Sequence, residues 1–310
     1  MSRWRASSPP STAPVPARRR TPSVPATGAS NGWTRLPPMR SLRRGSRVYA
    51  VAASTAMREK LAYPGNFAGS MFTYALFVFI FSRVWAGAYS GTTEIAGYTM
   101  RMSVWYFIVA EVPSFGFGRF FWTLSRDMKS GQVAYLLVRP YDFIRYNFAE
   151  KFGGSLVEAC VILAEGLAVG LMLVGPPPAT ASAMAAMTRP LFLAASLLMA
   201  GTLNYLLQMT IAMTAFWFEE NEAFFWIFQK FSLVVGTLMP IEFLPRAAAR
   251  IAVWTPFPYL SYAPARIAVA FSFSDALSLL ARQALWIAVA LWLARIVFAS
   301  GSRRLSVNGG

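Results

Sequence analysis

Three carboxylates stand inside long apolar stretches of the sequence: Glu111, Glu158 and Glu165. An acid in lipid is costly, so each is a candidate for proton relay or substrate contact. Glu158 and Glu165 lie seven residues apart and share a helix face. The bland alternative puts Glu158 near the inner interface and turns Glu165 towards a neighbouring helix or a wet cavity. Asn204 and Gln208, four residues apart, share another face and either hydrogen-bond across helices or line a path. Glu111, Glu165, Asn204 and Gln208 are thus the candidate lining of a translocation path. Lys230 lies two turns into an apolar segment, where it can snorkel to the inner surface and pair with the acidic turn at Glu219, Glu220 and Glu222.

Other chemistries are harder to support. The chain has no histidine, which removes the commonest general base and metal ligand and any Ser-His triad. Its one cysteine, Cys160, permits no internal disulfide and suggests no thiolate metal site. Gly116-Phe117-Gly118 is not followed by the lysine that a phosphate-binding loop requires. No catalytic, cofactor or metal site is therefore assigned to this chain, and it is not read as an enzyme.

The elements that must carry these residues are membrane helices. Of 310 residues, 56% are hydrophobic, more than a soluble domain can hide. Spanning needs about 20 mostly apolar residues. Six segments qualify: Phe67 to Trp85, about Tyr98 to Phe117, Leu156 to Val174, Leu191 to Phe216, about Ala223 to Ile241, and Leu279 to Phe298. Pro190 is expected in the first turn of the fourth, where its missing N–H costs nothing. Lys and Arg concentrate in the N-terminal region and in the island Gly118 to Lys151, and the positive-inside rule makes both cytoplasmic. The expected fold is all-α integral membrane, with six transmembrane helices, N-in and C-in.

Residues 1–40 form a basic, Pro- and Ser-rich tail expected to be disordered, 41–304 the membrane domain, and 305–310 a short C-terminal tail. The first tail lacks a signal-peptide core, and Met39 is an alternative start. The net charge of +16 is read as a cytoplasmic tail beside anionic lipid, not as a nucleic-acid surface. From Ser41 to Tyr63, Val48, Val51, Ala52, Thr55 and Ala56 share a face, as in an interfacial helix or a tether. In the island, Ser130 can cap a short helix with the stripe Val133, Ala134, Leu136 and Leu137, stopped by Pro140. Before the last crossing, Pro245, Pro256, Pro258 and Pro264 break an apolar outer segment into pieces too short to span. They form either a re-entrant hairpin or helices resting on the surface.

Within the island, Gly131 to Pro140 reads GQVAYLLVRP and resembles the G-x-[LV]-x-x-L-L-x-R-P signature of bacterial permeases of type-2 ATP-binding cassette (ABC) exporters. The six crossings, the helix before the first and the broken outer segment fit that family from about Arg47 to Arg304. Gln132 stands where many relatives carry an acid. The resemblance implies a permease subunit in a bacterial-type plasma (inner) membrane, paired with a second permease subunit and with separate ATP-binding subunits that carry ATP and Mg. It also implies that the 130–138 helix is the coupling helix, with Lys129, Gln132, Tyr135, Leu136 and Arg139 at the ATPase interface and helix 47–62 as a second docking surface. Two other classes stand as alternatives: a proton-coupled secondary transporter, and an intramembrane lipid-modifying enzyme using Glu111, Glu158 or Glu165. The first should show an internal repeat, and none is evident between the halves.

Overall fold

The computed structural model describes residues 39–63, 65–118, 120–130 and 141–308. Residues 1–38 of the N-terminal tail, and Gln132, Tyr135, Leu136 and Arg139 of the expected coupling helix, lie outside the described residues. Among those described, the chain is helical apart from one two-stranded hairpin. In order come α1 (Met39–Ala62), α2 (Gly65–Ala88), β1 (Glu94–Ile95), β2 (Tyr98–Thr99), α3 (Met100–Gly116) and α4 (Phe120–Lys129). Then follow α5 (Phe143–Val174), α6 (Ala183–Ala212), α7 (Glu222–Ser232), α8 (Arg246–Ala252), α9 (Pro258–Val269) and α10 (Phe273–Asn308).

Four helices are long and apolar enough to cross a membrane, over Phe67–Ala88, Phe143–Val174, Ala183–Phe216 and Phe273–Arg303. The core is a fifth helix, α3. Twelve of its 17 residues are buried, and a helix apolar all round belongs inside the protein. It packs against α2, α5, α6 and α9. Thr99 caps its first turn by accepting from Met102 N. Phe81 of α2 stacks on Phe107 at 4.3 Å. Near the far end Gly116 admits α5 so closely that a Cβ there would lie 2.5 Å from Ala159 Cα.

Several expected boundaries move. The second crossing begins at Met100, because Tyr98 and Thr99 form β2 instead. The third begins at Phe143, well before Leu156, because the Asp142 carboxylate caps Arg145 N at 2.8 Å. The island is therefore no simple loop: it holds α4 and the first turns of α5. Ser130 closes α4, donating its hydroxyl to Asp127 O. The fourth begins at Ala183 under a Ser182 cap, which puts Pro190 in the helix interior, not in the first turn. Proline is tolerated there because neighbouring groups in a membrane protein satisfy the freed backbone. The last helix runs past Phe298 to Asn308, so residues 305–308 continue it.

The fifth expected crossing is broken. After α7 the chain makes a wide turn over Leu233–Thr237, with Gly236 at φ +110°. Only glycine adopts that conformation readily. The Tyr106 hydroxyl donates to Gly236 O, satisfying a carbonyl freed by the break. The outer segment divides between its two readings. In α8, Ile251 is exposed, as is Trp254 just beyond it, whereas α9 is buried against α3 and α6. Pro264 does not cut α9 but lies within it.

Helix α1 does not simply rest on lipid. It packs along the first half of α5: a Cβ on Gly153 would meet Ala53 O at 2.6 Å, Tyr49 OH accepts from Asp142 N, and Lys60 pairs with Glu158 at 2.5 Å. The protein-facing residues are Tyr49, Ala53, Ala56 and Lys60, which leaves Val51 exposed. Glu158 thus has an ion-pair partner at one end of the membrane helices.

Candidate functional site

Helices α2, α3, α4, α6, α7 and α9 line a half-open cavity of about 350 Å³. Three of the four candidate path residues line it: Glu111 from α3, and Asn204 and Gln208 from α6. Glu111 is buried, only 2% exposed, and bonds Ser114 one turn on. Serines from α2, α7 and α9 (Ser70, Ser232 and Ser261) add hydroxyls, while Phe77, Phe115, Trp122, Phe225 and Phe228 supply rings. The fourth candidate, Glu165, does not line this cavity. It sits on α5, with Oε2 buried and without a hydrogen-bond partner among the described residues.

Asn204 and Gln208 also have a structural task. Where α3 gives way to α4, backbone groups around Phe117 and Phe121 lose their helical partners. Asn204 Nδ2 donates to Phe117 O at 3.0 Å, Gln208 Oε1 accepts from Phe121 N at 2.9 Å, and Gln208 Nε2 donates to Asn204 Oδ1 at 2.9 Å. The two amides therefore bridge helices and line the cavity at once. Replacing Gln208 with leucine would strand a buried amide. This is expected to destabilise the fold by about 1–3 kcal/mol, read as a lower melting temperature of the purified protein.

Lys230 lines the same cavity and is exposed. Among the described residues no ion pair joins it to Glu111 or to the Glu219–Glu222 turn. Trp122, 37% exposed, lines the cavity with it. Asn221, within that turn, was not singled out from the sequence. It is fully buried, donates to Ile211 O and Ala212 O, and accepts from Ser125 Oγ, tying α4 to the end of α6. A lone amide among three acids gives no sequence signal of that task.

A second polar cluster lies beside the β-hairpin, at the opposite end of α3. Arg266 of α9 donates to Tyr98 OH at 2.8 Å and pairs with Glu242 at 3.4 Å and Asp275 at 3.7 Å. Tyr262 OH donates to Glu242 Oε1 at 2.8 Å. Burial, reinforced by the Glu242 charge, pushes the phenols of Tyr98 and Tyr262 above their ordinary range.

Among the described residues neither arrangement brings together a nucleophile, a base and an oxyanion donor. What the interior does offer is a mid-molecule compartment with one deep acid, amides and aromatic walls. Lys129, at the end of α4, is exposed. A model of the family described as ABC-2 family transporter protein matches residues 71–309. No protein of curated function matches the chain.

Proposed function

The chain belongs to the ABC-2 transporter family, and from that premise we propose that it is the permease subunit of an ABC exporter. It is a multi-pass membrane protein and a transport component, not the catalyst. In this reading it crosses a bacterial-type inner membrane six times, N-in and C-in. The four long helices are joined by α3, whose 17 residues reach about 25 Å, and by the broken segment from Glu222 to Phe243. A broken helix suits a crossing whose irregular backbone is buried in protein, as Gly236 is.

Energy comes from a separate ATP-binding subunit carrying ATP and Mg, and a second permease copy or a related chain completes the path. The ATPase docks on the segment from Lys129 to Arg139, whose apolar stripe calls for a protein partner and whose charges set the register. Helix α1 supplies the second surface, since it is already braced on α5 by the Lys60–Glu158 pair. ATP binding closes the two ATPases, the docked segments move with them, and α4 passes that motion to α3 and α6 through Gln208. The observation that carries this reading is the family match across residues 71–309.

The test is co-purification in detergent with candidate ATP-binding subunits from neighbouring reading frames, followed by ATPase rate with and without this chain. A stable complex is expected, lost in Arg139→Glu and weakened in Tyr135→Ala while the permease remains monodisperse. A chain that purifies alone and alters no ATPase rate would overturn the proposal. Equally damaging would be a complex indifferent to both substitutions.

A further inference from the structure

We propose that the central cavity binds an amphipathic organic cation, its charge held by Glu111 and its apolar body by the surrounding aromatic rings. The inference rests on the permease reading, and names the class of cargo that the compartment suits.

The argument starts from charge. Glu111 is 2% exposed and has no ion-pair partner among the described residues, although it bonds Ser114. Burial disfavours the charge of such a carboxylate, so a bound cation stabilises its ionised form and an anion opposes it. The walls make the same choice. The faces of Phe and Trp attract cations and accept apolar groups, and Phe77, Phe115, Trp122, Phe225 and Phe228 all border the space. Among the described residues one cation, Lys230, lines the cavity, and it is exposed where Glu111 is buried. A cationic ligand is therefore opposed by the exposed Lys230 and favoured by the buried Glu111, and its positive charge settles towards α3. Size narrows the class further. About 350 Å³ is at the low end for a small-molecule site. That volume suits a compact organic ion.

The probe is tetraphenylphosphonium, with tetraphenylborate as its anion of matched shape. Both are measured by equilibrium dialysis against the full-length protein in nanodiscs, with empty nanodiscs of the same lipid subtracting partition into the bilayer. Wild type is expected to bind the phosphonium saturably at one site per chain, and Glu111→Gln to weaken that binding by about tenfold or more. The borate should show no saturable binding. Because an interior substitution risks misfolding, Lys230→Met supplies an independent arm at an exposed position. Removing the like charge should tighten phosphonium binding severalfold. Equal binding by Glu111→Gln, saturable borate binding, or unchanged or weaker phosphonium binding in Lys230→Met would each overturn the inference. The assay contains no ATPase. Loss of cation binding with ATPase docking intact refutes the cargo class alone, while the reverse refutes the permease reading and leaves the site standing.

Discussion

Gly116→Leu is expected to abolish recovery of folded protein from membranes. The α3–α5 crossing is backbone against backbone at this point: a Cβ would sit 2.5 Å from Ala159 Cα and 2.7 Å from Ala159 Cβ. No side-chain rotation relieves a clash with a main-chain atom, so one helix has to move. Helix α3 cannot move alone, because α2, α6 and α9 grip its other sides and the Tyr106 hydroxyl is committed to the broken segment. Overpacking in a yielding core costs about 1–3 kcal/mol. A leucine against backbone should cost more, enough to exhaust the stability of a typical domain. Size-exclusion of a fluorescent fusion reads this as loss of the monodisperse peak. Gly116→Ala should give a reduced peak, and adding Ala159→Gly should restore part of it, since the two positions share one space. If Gly116→Leu ran as wild type, the close approach of α3 and α5 would be wrong.

Much of this architecture was legible because membrane helices announce themselves by composition. The apolar runs around Phe67 to Trp85 and Leu279 to Phe298 needed only their ends extended. The misplacements have identifiable physical causes. The start at Leu156 followed hydropathy, whereas the helix follows its cap at Asp142 and carries charged residues such as Arg145 and Lys151 in its early turns. Pro190 was given the first-turn position that suits proline, but a membrane-protein interior tolerates it mid-helix. The break at Gly236 was written in Gly236 and Pro240, yet the surrounding apolar run outweighed them. The convergence of Glu111, Asn204 and Gln208 on one cavity depends on how α3 packs against α6, which no local pattern encodes. Glu165 has the same composition-level signal as Glu111 and ends up elsewhere. An intramembrane acid therefore marks a candidate, and only packing selects among candidates.

Arg266→Met is expected to loosen the hairpin end of the protein and lower its melting temperature. One guanidinium joins four parts of the chain there: Tyr98 of β2, Glu242 beyond the broken helix, its own α9, and Asp275 at the start of α10. Its side chain is 25% exposed and that of Glu242 is 32% exposed, so water screens part of the interaction. Breaking a fully buried pair costs about 3–5 kcal/mol, and a discount for exposure leaves about 1–3 kcal/mol. Most of that is the penalty of leaving Glu242 among Tyr98 and Tyr262 without its cation. Arg266→Met with Glu242→Gln should therefore recover part of the loss. The same cluster sets a pH limit. Both phenols are raised in the folded protein by burial and then by Glu242. Their contribution is complete below the unfolded tyrosine value of about 10. It is lost as pH rises from there towards the folded values, because the unfolded chain releases those protons first. Melting temperature should accordingly fall above about pH 10, and Tyr98→Phe with Tyr262→Phe should flatten that fall. An alkaline slope identical in the double variant would mean that other groups set the limit. An Arg266→Met protein as stable as wild type would mean that apolar packing of α9 against α3 holds this end without the charge cluster.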